Sequence, residues 1–223
     1  MRDSKVIQAV AAVATLSAIV AMVITTRGSF APGLNAEPHR AAGAELARQT
    51  LSLLKPGGEI MVITRDTATF PNPAADVLLD SFQRELRQGH VNIGSIQRLQ
   101  VDPLRLIEVP SGDFQNWIHH AASGDVIVSF MGPPLLTSEQ RRQLGEITPA
   151  VLAFCPGSWP DQIDFRPLFA DGLLRAAILS RDDQHPASTK PKNRQAWFDQ
   201  NFTVVTKANV EEFVAKQSAS KAP

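Results

Sequence analysis

Hydrophobic residues are arranged in two different ways along the chain, and the change falls near residue 27. Residues 6–26 form one apolar segment without a charge, interrupted only by a glutamine and a few hydroxyl side chains. A helix rises about 1.5 Å per residue, so a segment of this length crosses the roughly 30 Å hydrocarbon core of a bilayer. The pattern predicts a single membrane-spanning anchor.

The alternative for this segment is an export signal that is cleaved. Apolar residues continue up to Thr25, and no small-x-small cleavage pattern precedes Arg27, which favours an uncleaved anchor. Arg2 and Lys5 place positive charge ahead of the segment. Because positive flanks stay inside, residues 1–5 are predicted to be cytoplasmic and the rest of the chain to lie on the outer, periplasmic or extracellular, side.

Beyond the anchor, the apolar residues recur with the periods of folded elements. Residues 27–38 are interrupted by glycine and proline and predict a linker. Helical spacing of apolar positions predicts a helix over residues 41–54. We expect the folded domain to span residues 39–215 and a frayed tail to occupy residues 216–223.

Short apolar runs then alternate with amphipathic segments. The runs predict strands at 59–64, in the earlier part of 91–101, and at 125–130, 150–154, 174–179 and 202–205. Helices are predicted between them, at 73–88, 113–122, 138–144, 164–170, 195–201 and 210–216. Repeated β–α units connect parallel strands by right-handed crossovers. The predicted fold class is therefore α/β, a small doubly wound and mostly parallel sheet of five or six strands in Rossmann-like or flavodoxin-like order.

Two of the predicted helices carry explicit signals for where they begin. Asn72 can cap the first of them, with Pro73 in its first turn and Gly89 just past its end. Thr137 and Gln140 have the spacing of a capping box. These signals fix the starts of two helices more closely than hydrophobic periodicity does.

Composition and charge exclude several classes of function. Lysine plus arginine total 22, as do aspartate plus glutamate, so no net field attracts nucleic acid. Tyrosine is absent, which excludes chemistry that needs a phenol. The single cysteine, Cys155, excludes an internal disulfide and a cysteine cluster for metal, and the five histidines form no metal-binding pattern. No metal site is predicted.

Candidate ligand-binding residues follow the carboxyl ends of the predicted strands. Ligands of open parallel sheets bind beyond these ends, where amide groups at helix starts are unpaired. The selected residues are Thr64, Arg65, Asp66, Thr67, Gly132, Cys155, Ser158, Trp159 and Arg181. A functional interpretation places Arg65 and Arg181 against a carboxylate or phosphate, with the hydroxyls beside it. The interpretation that the sequence favours over ligand contact is that the loops are polar, with Arg65 and Asp66, and Arg181 and Asp182, either solvated or paired with each other.

Recognised cofactor and catalytic motifs are missing from the sequence. There is no G-x-G-x-x-G, no G-x-x-x-x-G-K-[ST] and no G-x-S-x-G, so no cofactor is predicted. Cys155 and Ser158 have C-x-x-S spacing, which resembles a one-cysteine version of the thioredoxin-type motif. A thiol at a helix amino terminus has a lowered pKa and is nucleophilic. A thiol-based enzyme is therefore the alternative hypothesis for function.

The β–α order over about residues 58–180 resembles one lobe of the type 1 periplasmic binding proteins. The resemblance supplies no matching functional residues. It implies binding without chemistry, and because those proteins enclose a ligand between two lobes, a second lobe here would come from a partner or a second copy. We predict a membrane-anchored extracytoplasmic domain that binds a small ligand or an envelope protein partner. A structural subunit that uses its anchor and exposed aromatic residues is a third hypothesis.

Overall fold

A computed structural model describes residues 34–101, 108–145, 149–157, 159–181 and 190–220. From Asn35 onward these residues belong to a single contact unit. The predicted anchor at residues 6–26 lies outside the described ranges, as do Ser158 and Asp182. Within those ranges, no helix is both long enough and apolar enough to cross a membrane.

Six strands of the described chain form one sheet. They are β1 (Ile60–Arg65), β2 (Ser95–Leu99), β3 (Val126–Ser129), β4 (Ala150–Cys155), β5 (Ala176–Ser180) and β6 (Phe202–Thr206). Their order is β2-β1-β3-β4-β5-β6, and every neighbouring pair is parallel except β5 and β6. The first five strands have the flavodoxin-like order, so the predicted mixed α/β class with a mostly parallel sheet is confirmed.

The helices of the described chain occur between and around these strands. They are α1 (Ala36–Leu53), α2 (Pro73–Gln88), α3 (Ser111–His120), α4 (Ser138–Leu144), α5 (Trp159–Gln162), α6 (Arg166–Ala170), α7 (Arg194–Asn201) and α8 (Val210–Ser220). Both predicted caps are present. The side-chain oxygen of Asn72 accepts the amide N–H of Ala75 at 3.0 Å, and Thr137 and Gln140 form a reciprocal capping box.

Both faces of the sheet are buried, as expected for strands that are apolar on both sides. On the first face, side chains such as Val62, Val128 and Leu152 pack under α1, α2 and α7. On the second face, side chains such as Ile63 and Ile127 pack under α3, α4, α6 and α8. The sheet is therefore doubly wound, with one hydrophobic core on each side.

Helix α1 covers a part of the first face of the sheet that the crossover helices leave open. The connections from β3 to β4 and from β4 to β5 lie on the second face, because α4 and α6 pack into its core. Over these strands the first face is covered by α1, which contacts α2 and α7 as well as β3, β4 and β5. The first helix is thus an integral layer of the fold.

Several element boundaries differ from the sequence prediction; helix α8, for example, continues to Ser220, into the predicted tail. Helix α1 begins at Ala36, inside the predicted linker, because the side chain of Asn35 accepts the amide N–H of Glu37 and proline is tolerated in a first turn. Strand β2 occupies the later part of residues 91–101, so its predicted position was wrong. The amide N–H of Val91 donates to the carbonyl of Leu86 at 3.0 Å, which holds the chain at the end of α2.

Candidate functional site

The carboxyl ends of β1 to β5 lie along one edge of the sheet, called here the carboxyl edge. The chain leaves β1 toward β2 across the first face and leaves β3 toward β4 across the second face. Strand order therefore reverses between β1 and β3. In open α/β sheets this switch point is where a crevice for ligand is expected.

At this switch point, the space beside β3 is filled by the chain itself. Residues 130–134 are buried, and the backbone of Gly132 has a φ of +90°. A Cβ atom built on Gly132 would lie 2.6 Å from Cζ2 of the half-buried Trp159. The indole therefore covers Gly132 so closely that no larger residue fits. These two predicted ligand-binding residues contact each other.

Cys155, at the end of β4, is inaccessible from the carboxyl edge. Its side chain is fully buried in the second-face core, and burial raises the pKa of the Cys155 thiol well above its ordinary value. The thiol is therefore uncharged near neutral pH, whereas a nucleophilic cysteine needs a lowered pKa. This environment does not support the thiol-enzyme alternative.

Arg181 links the end of β5 to the junction of α7 and β6 by two hydrogen bonds. Its amide N–H donates to the carbonyl of Asn201 at 3.0 Å, and its side-chain Nε–H donates to the carbonyl of Phe202 at 3.0 Å. Both acceptors lie where α7 passes into β6. Arg181 therefore fixes the start of the antiparallel strand.

The predicted residues at the end of β1 differ in their surroundings. Thr64 is buried, with 3% of its surface exposed. Arg65 is half-buried, and its Nε–H is shielded from solvent with no hydrogen-bond acceptor among the described residues. The hydroxyl of Thr67 donates to the carboxylate of Asp76 at 2.8 Å, which links the loop to the first turn of α2. Thr64 is therefore shielded from a ligand by burial, and the hydroxyl hydrogen of Thr67 is used in a bond within the fold.

Asp66 lines an open cavity of about 380 Å³ beside the ends of β1 and β2. The other lining residues are Thr69, Phe70, Gln100 and Val101. The Asp66 carboxylate is half-buried and accepts the amide N–H of Ala68 at 3.0 Å. Phe70 is 47% exposed, and among the described residues it is the large hydrophobic side chain left exposed. An apolar ring and a carboxylate thus share one concave surface.

Sequence reasoning placed one of these five lining residues in the site, Asp66. The selected residues did not include Thr69, Phe70, Gln100 or Val101. Thr69 belongs to the polar stretch after the first predicted strand, and Gln100 and Val101 follow β2, whose position was predicted too early in the chain. A signal for Phe70 was present: it lies between a strand end and the capped start of α2, where no predicted core can bury it. Strand-end position alone did not distinguish this cavity from the filled crevice at Gly132.

No protein-family model and no curated protein sequence matches the chain. Solved structures do match. The chain is similar to AraP, an arabinose binding protein from Geobacillus stearothermophilus, with 16% identity over 78% of this chain and 63% of that chain and a TM-score of 0.50. It is also similar to a carbohydrate transporter solute binding protein from Agrobacterium radiobacter in complex with D-arabinose, with 10% identity, coverages of 82% and 62%, and a TM-score of 0.49.

A third similar structure is a sugar-binding protein of a sugar ABC transporter from Bacillus halodurans, with 12% identity, coverages of 78% and 63%, and a TM-score of 0.48. The chain spans less than two thirds of the length of each of these solved structures. At such low identity the similarity concerns the fold and carries no functional residue across. The likeness to AraP shows that the described chain has a periplasmic-binding-protein-like α/β fold.

Proposed function

We propose that this chain binds a small polar ligand in the cavity at the ends of β1 and β2 and does not transform it. The observation that carries the proposal is the exposed ring of Phe70 inside a concave surface of about 380 Å³. Ligand sites are typically concave, about 300–1,000 Å³, and mostly apolar with a few polar groups. The cavity has this size and this mixture of side chains.

The lining residues offer two kinds of contact to a ligand, apolar contact and hydrogen bonds. The face of Phe70 and the side chain of Val101 supply apolar contact, while Asp66, Thr69 and Gln100 supply hydrogen-bonding groups that orient a ligand. A compound with one apolar face and a polar edge fits this surface. A sugar is one such class, and AraP, which shares the fold, is an arabinose binding protein.

Binding without chemistry agrees with the groups available in the cavity. Asp66 is the one titratable side chain among its lining residues. A single carboxylate with no second titratable group in the described lining lacks the paired groups that acid–base catalysis needs, and the same carboxylate is the one described group there that could activate the Thr69 hydroxyl. The proposal therefore assigns recognition, and no reaction, to this surface.

A ligand panel tests the binding proposal. The full chain, in mild detergent, is screened by thermal shift against D-arabinose and other small polar compounds, and each hit is measured by calorimetry. A true ligand raises Tm by mass action. Phe70→Ala should weaken its binding about tenfold or more because the apolar platform is lost.

Leu53→Ala is the matched control for this experiment. It removes apolar atoms from a half-buried residue at the end of α1, at the opposite edge of the sheet. It should leave the affinity unchanged. The proposal is wrong if no compound shifts Tm, or if Phe70→Ala and Leu53→Ala affect binding equally.

We also propose that residues 6–26 anchor the domain to a membrane with the domain on the outer side. The support is the uncharged apolar segment with Arg2 and Lys5 ahead of it. After expression in a bacterium, the chain should stay in the membrane pellet through a carbonate wash and be digested by protease added to spheroplasts. Recovery of intact chain from the cytosol without detergent contradicts the proposal.

An envelope protein partner or a second copy of the chain is the second candidate for what covers the carboxyl edge. The observation in its favour is the open cavity, which leaves Phe70 47% exposed. Crosslinking of intact membranes followed by mass spectrometry should then recover a stoichiometric partner joined near Phe70. Crosslinks confined to single chains contradict this candidate.

A further inference from the structure

In the part of the chain that the structure describes, the charge of the cavity lining comes from one residue. Asp66 is the sole charged side chain among the five that line it, and among the described residues it takes part in no ion pair. Its carboxylate is half-buried and accepts one amide N–H, from Ala68. A carboxylate has room for several more hydrogen bonds than that. The described part of the lining therefore carries one negative charge, and no described cation forms an ion pair with it.

Hydrogen-bond acceptors also outnumber donors on this surface. Among the described lining side chains, the Asp66 carboxylate, the Gln100 amide oxygen and the Thr69 hydroxyl can accept, whereas the Gln100 amide nitrogen and the Thr69 hydroxyl can donate. A ligand that complements the lining must donate more than it accepts. Ammonium and guanidinium groups donate only, and their hydrogen bonds to a carboxylate are charge-assisted.

The ring of Phe70 favours the same kind of group. The face of an aromatic ring is the negative end of its quadrupole and attracts a cation held within about 6 Å of its centre. Phe70 lines the cavity together with Asp66 and is 47% exposed, so its ring is available to a ligand. A carboxylate and an aromatic ring in one cavity suit a cation that carries an apolar carbon skeleton.

From this lining we infer that the ligand of the cavity is an organic cation, a small compound with an ammonium or guanidinium group on an apolar skeleton. The inference rests on the proposed function, since it names the chemical class of ligand for the same cavity. Arg65, the nearest cation in the sequence, does not line the cavity.

A matched pair of probes tests the inference on the full chain in mild detergent. Cyclohexylammonium and cyclohexanol have the same ring and differ in the charged nitrogen. Calorimetry should give a Kd at least about tenfold lower for cyclohexylammonium, because its bond to the carboxylate is charge-assisted and its charge is attracted by the ring, whereas cyclohexanol offers a neutral hydroxyl. Asp66→Asn should remove this preference while keeping the bond from the Ala68 amide, since the side-chain oxygen of asparagine can also accept in that position.

Glu211→Gln is the control, because it removes the same charge from the first turn of α8, which follows β6 at the opposite edge of the sheet. It should keep the tenfold preference. Preference for the cation that survives Asp66→Asn overturns the assignment to this cavity. Equal binding of both probes, weakened by Phe70→Ala, overturns the inference and leaves the proposed function standing. Absence of binding by both probes and by the whole ligand panel overturns both.

Discussion

Cys155 shows how one residue takes its chemistry from its surroundings. By sequence it follows a strand and precedes Ser158, in a pattern typical of a reactive thiol. In the fold its side chain lies in the second-face core with residues such as Val151 and Leu179. Because a thiolate there would lose its hydration, the neutral form is favoured and the pKa is raised. The same atoms would be nucleophilic only at an electropositive, accessible site.

A pH titration of stability checks the buried state of Cys155. The unfolded thiol ionises above about pH 8.5, while the folded thiol stays protonated. Ionisation therefore lowers the free energy of the unfolded state alone, and the free energy of unfolding falls as pH rises. We expect the free energy of unfolding to fall more steeply between pH 8.5 and 10 in the wild type than in Cys155→Ala. The extra slope is at most about 1.4 kcal/mol per pH unit.

A disulfide reagent gives an independent measure of the same burial. The thiol should react at the rate at which the protein opens and should become fast only in denaturant. Rapid reaction of the native chain, or identical pH slopes for the wild type and Cys155→Ala, would contradict the assignment of Cys155 to the core.

At the scale of elements, α1 and α2 approach each other through a glycine. Gly43 of α1 lies against α2, where an added Cβ would stand 2.4 Å from the carbonyl oxygen of Leu78 and 2.9 Å from Cβ of Ser81. The hydroxyl of Ser81 also donates to the carbonyl of Arg40 at 2.7 Å. The missing side chain is what lets the two helices pack at this distance.

Gly43→Ala should therefore destabilise the fold although alanine is the better helix former. The cost of separating the helices, about 1–3 kcal/mol or more, exceeds the roughly 1 kcal/mol of helix propensity gained. Urea denaturation measures the difference. Gly112→Ala in the first turn of α3 is the control: its Cβ meets nothing within 4 Å, so it should be neutral or stabilising. Equal effects of the two variants would refute the close approach.

Side chains close the β6 edge of the sheet. The Asn209 amide nitrogen donates to the carbonyl of Val204 at 3.0 Å, and its oxygen accepts the amide N–H of Thr206 at 2.7 Å. Arg181 satisfies the carbonyl of Phe202 in the same strand. Groups that would otherwise pair with another strand are thus used internally, which limits edge-to-edge association.

Asn209→Ala should open that edge and cost about 1–3 kcal/mol, because it leaves backbone groups of β6 without partners. Chemical denaturation gives the stability, and light scattering on warming reports association through the edge. Lys207→Ala, in the same turn and exposed, should change neither quantity. If Asn209→Ala is as stable and as soluble as the wild type, the prediction is wrong. Water then replaces the hydrogen bonds that Asn209 makes to the backbone of β6.

At the scale of the whole molecule, the sheet needs cover on both faces. Residues such as Leu46 on α1 and Phe82 on α2 belong to the first-face core, and both are fully buried. Without α1, the apolar first face over β3, β4 and β5 would lose much of its cover and meet water. Burial of apolar area is worth about 25 cal/mol per Å², so exposure of a few hundred Å² costs about as much as the roughly 5–15 kcal/mol of net stability of an ordinary domain.

Two truncations test this requirement. A chain of residues 34–223 keeps α1 and should unfold cooperatively in urea, with native helix and strand signals in circular dichroism. A chain of residues 56–223 lacks α1 and should bind a hydrophobic dye and lose cooperativity. If the shorter chain unfolds with the same midpoint as the longer one, α1 is not a layer of the core.

The sequence alone determined the local features, because these depend on neighbours a few residues apart. Strand and helix types follow from apolar periodicity, and the helix starts at Asn72 and Thr137 follow from cap chemistry. The α/β class and the parallel sheet follow from strand–helix alternation with short connections. The position of β2 was predicted wrongly because its residues, which are mostly half-buried, are a mixture of apolar and polar and form no continuous apolar segment.

Only the tertiary structure decided which strand ends remain open to a ligand. Gly132 and Asp66 both follow buried strands, yet one is covered by Trp159, which lies 27 positions further along the chain, and the other lines a cavity with Gln100. Such distinctions depend on how residues distant in sequence pack at one edge of the sheet. The hydrophobic pattern determines which helices and strands form and which of their faces are buried. Cavities at the carboxyl edge, and the exposure of the side chains that line them, arise only when those elements pack together.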